Sequence, residues 1–498
     1  MGDVTFTKGS GGLNKVGPGE DHISLLAFYY ATLPSGFSST YRVKEITDIA
    51  AAEALGIVNT KADEVKATGG KAVITTPGAA GTTASIIMDG VTLGAYTLTS
   101  GDANADVATG LRAAINALTG THGYTSAGSS ADVTLVPPIG KGDSINAGTH
   151  LSFASTGTGA ATVTQFSGGV DAFYDVMHYH ISEAFRINPA IKLYVGIFAV
   201  PGSWTFTELQ TAQNVANGKI RNAGIFLKSV AFSTAHLSAI QTVLNTLDTL
   251  HKPISDVVYS ADIAAVTDLT TLSDLTLLTA SKVSAVIAQD GGADGAALYT
   301  EKGYSIGCVG ATIGAISLAS VNINIGWRAR FNMAALELET PAFANGTLVN
   351  TLTDTALAGI DAKNYIYMLK CTDYAGTFFN DSWTAIVRTN DYGNIEANRT
   401  MDKAIRGVRA YLLPEVNGPV SIDATTGKLA IDYVKYLESI GGKALDQMER
   451  NKELSGWKVV IDPDQNVLST SVINVSIANV PVGVSRSFAV KISFATSI

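Results

Sequence analysis

Three groups of residues have the types and spacing of chemical sites. Gly303, Ser305 and Gly307 match the GxSxG pattern, in which a sharp turn between a strand and a helix exposes a nucleophilic serine. Hydrolases of that fold place the catalytic histidine after the serine, whereas all seven histidines here lie at or before His251. A triad in that order cannot be built. We therefore interpret the pattern as a glycine-rich helix start that permits close packing, and we predict no enzyme activity.

His178 and His180 are a second candidate, as a metal-binding pair. On a helix, side chains two positions apart point about 200° away from each other, so the two imidazoles cannot share one ion. His180 also falls on an apolar stripe, and we predict a hydrogen-bonded core histidine there. The stripe consists of Phe173, Val176, Met177, Ile181 and Phe185.

The third candidate is the loop from Asp290 to Gly295, which follows a predicted strand like a phosphate-binding turn. Its glycine spacing is wrong for that role, and its two aspartates would repel phosphate. No GxxxxGK[ST] motif occurs, so nucleotide hydrolysis is not supported. Cys308 and Cys371 are far apart and lack zinc spacing, so we interpret them as reduced interior thiols. We expect no cofactor and no metal.

Composition limits the class of partner. Charged residues make up 15% of the 498, below the usual share of about 25%, and we expect much of the uncharged polar surface to be covered. The net charge is −9 and no long basic run occurs, which argues against nucleic acid. The first residues lack a charged stretch followed by an apolar one, so we expect synthesis in the cytoplasm without a signal peptide.

Residues 303–327 carry no charge for 25 positions, which is long enough for a membrane helix. The run contains several Ser, Thr and Asn residues, and its second half, SVNINIGW, alternates with period two like a strand. We therefore predict no membrane insertion.

The remaining pattern predicts an α/β (mixed α+β) core, with a small inserted α+β domain and terminal β arms. We assign residues 1–20 to an N-terminal arm, 21–69 and 170–335 to an α/β domain, 70–169 to an inserted surface domain, and 336–498 to a C-terminal domain with a terminal β-hairpin arm. Paired glycines flank the charge-poor insert. Helices and strands alternate after residue 170, which favours a largely parallel sheet.

Two terminal segments have the alternation of exposed strands. The first lies near the N-terminus, ahead of a glycine-rich tether, and the second is a predicted C-terminal β-hairpin over 472–494. Each could equally close a sheet of its own chain. The apolar residues of the two segments are Val4, Phe6, Val472, Val475, Ile477, Phe488, Val490, Ile492 and Phe494.

A helix predicted from residue 391 has Ile395, Met401, Ile405, Val408 and Leu412 on one face and is halted by Pro414. Its charged residues fit either a solvated face or a surface against another subunit. They are Arg399, Asp402, Lys403, Arg406 and Arg409.

Several stretches resemble the contractile tail sheath proteins of Mu-like phages and related phage-derived contractile injection systems. In the C-terminal half they are GCVGATIGAISLASVNINIGW, NDSWTAIVRTNDYGNIEANRTMDKAIRGVRAYLLPEV and ANVPVGVSRSFAVKISF. In the N-terminal half they are ITDIAAAEALGI and, within the insert, DANADVATGLRAAINAL. The likeness covers most of the chain and lies in the order of the motifs, since none of them is catalytic.

The resemblance implies a subunit that polymerises in stacked rings around an inner tube and contracts to drive it through a target envelope. It implies that both arms add strands to sheets of neighbouring copies, and that the partners are the inner tail tube, baseplate and tail terminator proteins. The particle would be a virion tail or an injection device. A non-contractile shell or surface-layer protein remains an alternative, because it would share the low charge and the lack of a catalytic set.

Overall fold

The computed structural model describes residues 20–146 and 148–490. Contacts divide the chain into two units. One comprises Met1–Leu33, Phe37–Ala51 and His180–Ile498, and the other comprises Pro34–Gly36 and Ala52–Tyr179. Residues 1–19 lie outside the description, and so do Val4 and Phe6 of the predicted N-terminal arm.

The strands are β1 (Ile23–Tyr29), β2 (Val43–Ile46), β3 (Lys71–Thr76), β4 (Thr83–Met88), β5 (Val91–Thr97), β6 (Thr125–Ala127), β7 (Asp132–Val136), β8 (Leu151–Ser155), β9 (Ala160–Thr164), β10 (Lys192–Phe198), β11 (Asn222–Ala231), β12 (Asp256–Asp262), β13 (Thr279–Ala280), β14 (Val283–Val286), β15 (Ala288–Asp290), β16 (Pro341–Phe343), β17 (Met368–Cys371), β18 (Tyr374–Phe379), β19 (Ala385–Ile386), β20 (Leu454–Val460) and β21 (Ser476–Pro481). The helices are α1 (Ile49–Ala54), α2 (Asn104–Ala117), α3 (Thr119–His122), α4 (Tyr174–Ile187), α5 (Glu208–Val215), α6 (Thr234–Thr249), α7 (Asp294–Lys302), α8 (Val309–Leu318), α9 (Asp354–Ala362), α10 (Ile395–Leu412), α11 (Ile431–Arg450) and α12 (Val467–Thr470).

The first unit is built on a six-stranded sheet in the order β14-β12-β11-β1-β10-β2. The first five strands of that order are mutually parallel and the edge strand β2 is antiparallel. Strand β1 therefore lies between the next two parallel strands of the sequence, which is the doubly wound arrangement. The predicted α/β core is confirmed, and its cause is visible in β1, all seven of whose residues are buried.

Helices cover both faces of this sheet because neighbouring strand residues point in opposite directions. Phe28 of β1 meets His180 of α4, with ring centroids 6.1 Å apart. Tyr29, the next residue, meets the other face, where its hydroxyl donates to Glu208 of α5 over 3.3 Å. Two glycines bring α8 close to α4: a Cβ on Gly310 would meet the carbonyl of His180, and one on Gly314 would lie 2.8 Å from Ile187. The close packing predicted for Gly303 and Gly307 is thus made by Gly310 and Gly314 within α8, whereas Gly303 ends helix α7.

The second unit contains two antiparallel sheets, β6-β7-β3-β9 and β5-β4-β8. Helix α2 buries Val107, Leu111 and Ile115 in a core of its own, as its period predicts. Asp89 and Gly90, a residue pair typical of hairpin turns, join β4 to β5, both with positive φ. The connections into and out of residues 70–169 run side by side, because Val65 bridges Val170 and Thr68 bridges Ser167.

The C-terminal part of the first unit packs α10 against α11 and α11 against β20. Small residues allow this: a Cβ on Gly407 of α10 would lie 2.6 Å from that of Ala444, and Gly442 lies under the Trp457 ring. Strand β21 pairs antiparallel with β20. The predicted hairpin within 472–494 is therefore wrong in its partner: its first strand pairs with an earlier segment, and residues 482–490 form no strand.

The charge-free run also differs from its prediction in one respect. Its first half forms the buried helix α8, but SVNINIGW makes turns rather than a strand. Asn324 explains this, because its side chain donates to Asp381 and Ser382 and accepts from the amide of Gly326, which holds a bend. Across the portion of the chain that the structure covers, no helix is both long and apolar enough to cross a membrane.

Candidate functional site: the ion-pair network of helix α10

The charged residues of α10 are turned mostly into the protein. Arg399 and Asp402 keep 2% and 5% of their surface exposed, whereas Arg409 is exposed and Ile405 keeps 53%. The interpretation as a solvated face is therefore wrong for the centre of the helix, and the predicted apolar face is broken at Ile405. These side chains are buried because residues of opposite charge lie at the amino-terminal edge of the central sheet. Charges can be buried when they are paired.

Lys282, which immediately precedes β14, binds the centre of α10. Its ammonium donates to Asp402 over 2.9 Å and to Asp248 over 2.8 Å. Arg399 lies 4.0 Å from Asp256, the first residue of β12, and also donates to the carbonyl of Ala319 over 3.1 Å. Burial raises the pKa of Asp256 to about 7, although Arg399 opposes the shift.

The same helix binds the segment that leads from the N-terminus into β1. Asp21 accepts from Lys403 and Arg406, each at 2.7 Å. Burial favours a raised pKa for Asp21, but the two cations outweigh it and lower the pKa. The neighbouring Glu20 pairs with Arg221, just before β11, over 3.0 Å. The point at which residues 1–19 join the body is thus held by ion pairs.

The first turn of α10 binds the C-terminal segment. Arg486 donates to Asp381 over 2.7 Å and to Glu396 over 3.2 Å. Its guanidinium carbon also lies 4.1 Å from the centroid of the Trp383 ring, which Arg388 approaches to 4.4 Å. Burial favours a lowered pKa for Arg486, but the carboxylates outweigh it and raise the pKa. The guanidinium is therefore a strongly bound cation at the root of the C-terminal segment.

A groove of about 510 Å³ lies beside this anchor. Trp327, Arg328 and Asn380 line it from the body, and the segment from Val482 to Phe488 lines it from the other side. Its wall is mixed polar and apolar, with Asp381 as the acidic group. The groove therefore belongs to the seat of the C-terminal segment.

The structure places the predicted arm residues in different surroundings. Val475 packs against two small cores, and Ile477 pairs with Val459 in the β20–β21 ribbon. Phe488 and Val490 keep 85% and 76% of their surface exposed, and Val472 keeps 54%. Ile492 and Phe494 lie outside the described residues, as Val4 and Phe6 do. Their role as subunit contacts stays a prediction.

The sequence motifs considered for catalysis have structural roles. Ser305 is buried, donates to the carbonyl of Ala344 and accepts from the amide of Ile263, and Gly303 ends helix α7 rather than a strand. The Asp290 carboxylate accepts hydrogen bonds from the backbone amides of Ala293 and Leu338. These amides are therefore not free to bind a phosphate.

The histidines and cysteines complete this assignment. Burial lowers the pKa of His180 to about 3, against a smaller opposing effect of a hydrogen bond with the backbone of Ile306, so the predicted core histidine is confirmed. His178 instead contacts Glu53 at 3.0 Å. Cys308 and Cys371 are free thiols, and within residues 20–146 and 148–490 no three His, Cys, Asp or Glu side chains are arranged for a metal ion.

The crevice at which doubly wound sheets bind ligands is filled by aromatic rings. It would lie beyond the carboxyl end of β1. Tyr29, the last residue of β1, meets Trp204 and Phe206 with ring centroids 5.1 and 6.0 Å away. On the same face, the His236 ring lies 6.0 Å from that of Trp204 and hydrogen-bonds the Tyr259 hydroxyl over 2.8 Å. The edge used for ligands in other such folds is a packed wall here.

Comparison with known proteins adds one family model and a set of structures. Residues 391–498 match the model described as DUF2586, C-terminal domain, so the match begins just before α10. No curated protein matches the chain in sequence. Three similar solved structures are the anti-feeding prophage helical sheath in its contracted state, the sheath complex of an extracellular contractile injection system in its contracted state, and the sheath tail protein of Listeria innocua.

The likenesses are to sheath proteins. Sequence identities are 12%, 11% and 10%, with TM-scores of 0.46, 0.41 and 0.39. The alignments cover 66%, 64% and 93% of this chain and 84%, 80% and 96% of the others. All three are sheath proteins, and two of them are in a contracted state.

The ion-pair network was not predicted from the sequence, although charged residues at the starts of the strands indicate it. Glu20 and Asp21 precede β1, Arg221 precedes β11, Asp256 begins β12 and Lys282 precedes β14. Amino ends of parallel strands meet at one edge of a sheet. Charged residues at the starts of four otherwise buried strands therefore predict one charged edge, which needs a charged helix to cover it.

Proposed function

We propose that this protein is the structural subunit of a contractile tail sheath, which polymerises in stacked rings around an inner tube and contracts to drive it through a target envelope. The observation that carries the proposal is the C-terminal segment after Pro481. Its described part forms no helix or strand, and Phe488 and Val490 alternate as highly exposed apolar residues. Such a segment is suited to completing a sheet of another molecule.

The ribbon of β20 and β21 is a suitable acceptor for such a strand. In the described part of the chain these two strands pair only with each other, so each has one open edge. A two-stranded ribbon is marginally stable alone, and open edges attract further strands. Strands added from neighbouring copies, including the segment with Val4 and Phe6, would satisfy these backbone groups while the subunit bodies move.

The wider assembly follows from the resemblance of the sequence motifs. We infer that the partners are further copies of the chain, an inner tail tube protein, and baseplate and tail terminator proteins. The site of action is a virion tail or an assembled injection particle. No cofactor enters this function, because the work is done by rearrangement of contacts between subunits.

We also infer that residues 70–169 decorate the outer surface of the polymer. Support comes from their separate core and from the adjacent entry and exit of the chain at Val65 and Val170. A segment whose entry and exit lie side by side can be added or removed with little effect on the fold that receives it.

A paired substitution tests the arm directly. Phe488→Ser combined with Val490→Ser should leave the melting temperature of the monomer unchanged, because both side chains are exposed already, and should abolish sedimentation as polymer. Leu277→Ser is the matched control, since Leu277 is 80% exposed outside the segment. Normal polymer from the double variant would show that the contact between subunits lies elsewhere.

A further inference from the structure

We propose that helix α10 connects the roots of the two arms, which are Asp21 for the N-terminal arm and Arg486 for the C-terminal arm. Tension applied at one chain end then reaches the other end through this helix rather than through the central sheet. This inference rests on the proposed function for its biological meaning. Asp21 and Arg486 are the positioning residues, because each fixes the place where one terminal segment leaves the body.

The N-terminal root is held by three basic residues of α10. Asp21 binds Lys403 and Arg406 of α10, and its carbonyl accepts from Arg399 over 3.4 Å. Lys403 in turn binds Glu453, next to the start of β20, over 2.7 Å. Charge-assisted hydrogen bonds of this length are roughly twice as strong as hydrogen bonds between neutral groups. The network therefore also reaches the ribbon proposed as the strand acceptor.

The C-terminal root is held by a separate set of groups on the same helix. Arg486 binds Glu396 in the first turn of α10 and Asp381 beside it, while Ser382 also donates to Glu396. Glu396 is fully buried, and Asn324 donates to it over 3.2 Å. A buried carboxylate with these donors is tied to the body, so Arg486 gains a rigid partner.

The two roots bind α10 at different positions along its axis. Glu396 and Arg406 are ten positions apart, which is about 15 Å along a helix axis. A helix transmits tension along its backbone hydrogen bonds, and α10 is further fixed to β14 through Lys282 and Asp402. The path from arm to arm thus crosses α10, while the strands of the central sheet keep their register.

Hydrogen exchange of the full-length monomer tests the coupling. We compare Asp21→Asn and Arg486→Gln with Arg409→Gln, which removes an exposed charge from the same helix. Each of the first two should speed exchange of the same α10 amides about tenfold, because a hydrogen bond to a charged group is lost. The double variant should exceed the larger single effect only slightly, because two roots coupled through α10 support each other, so that the loss of one ion pair already weakens the hold of the other.

Polymers provide the second measurement. Tubes of either variant should dissociate at a lower urea concentration than wild-type tubes, and Arg486→Lys should not restore them, because a lysine loses both the forked geometry and the stacking on Trp383. Changes confined to the substituted end of α10, or additive effects in the double variant, would overturn the coupling. If wild-type protein forms no tubes, the proposed function fails while the exchange experiment still decides the role of α10.

Discussion

Asp21 and Arg406 are separated by 385 residues and yet share a hydrogen bond of 2.7 Å. The first is two positions before β1, and the second lies on α10. The body of the subunit is therefore closed by a contact between its first described residues and its C-terminal third. Together with the contact between Arg486 and Glu396, that closure ties residues near both ends of the described chain to one helix, which is the feature that the proposed assembly needs.

The first prediction concerns the contribution of the buried ion pair of Lys282 to stability. Lys282→Met should destabilise the protein by about 3–5 kcal/mol, because Asp402 stays buried after losing its cation. Lys435→Met is the control: Lys435 is an exposed residue of α11 paired with Glu438, and its loss should cost less than about 1 kcal/mol. Urea unfolding followed by circular dichroism measures both, and equal losses would contradict the assignment.

The second prediction concerns the glycine that allows α8 to pack against α4. Gly310→Ala should prevent folding or lower the melting temperature sharply, because its Cβ would occupy the position of the His180 carbonyl, which is backbone and cannot yield. Gly359→Ala on α9 is the opposite case, since no atom lies within 4 Å of its Cβ position. That variant should be more stable by about 0.5–1 kcal/mol. Thermal melts of the two proteins should therefore move in opposite directions.

The third prediction is that the folding stability of the protein falls in acid because of His180. His180 has a folded-state pKa of about 3, well below the ordinary value of 6.5, so the unfolded chain binds the proton more readily. The stability contributed by neutral His180 is complete above pH 6.5 and is lost at about 1.4 kcal/mol per pH unit as the pH falls toward 3. His180→Phe should give a flatter stability profile between pH 7 and 4, and His251→Asn controls for the loss of one exposed imidazole. A variant with the wild-type slope would contradict this.

The inserted segment provides the fourth. Replacing residues 70–169 by a short Gly/Ser linker should leave a folded protein that still forms tubes of smaller outer diameter, because Val65 and Val170 remain to bridge. Electron micrographs give the diameter. Insoluble or unassembled protein would mean that the segment contributes to the core of the subunit or to its contacts.

Period and turn chemistry predicted much of the fold. The alternation of helices and strands after residue 170 identified the parallel sheet, and the Asp89-Gly90 pair is typical of the turn that joins β4 and β5 in the second unit, because these signals are local. The C-terminal pairing could not be found in this way. Strand β21 prefers β20 across the intervening α12 and loop, and period-two alternation does not name a strand's partner.

The site was harder to predict than the fold. Arg399 and Asp402 look solvated in isolation, since charged residues are seldom buried. Their burial depends on Asp256 and Lys282, which are more than a hundred positions away and become neighbours only when the sheet forms. Arg486 was missed for the same reason, because its partners Asp381 and Glu396 lie on separate elements.

Electron microscopy of the purified full-length protein tests the central claim most directly. A sheath subunit should form hollow helical tubes built of stacked rings, and the Phe488→Ser, Val490→Ser variant should not form them under the same conditions. Flat sheets or closed cages would identify a shell or surface-layer protein instead. Persistent monomers at high concentration would contradict the proposed polymer altogether.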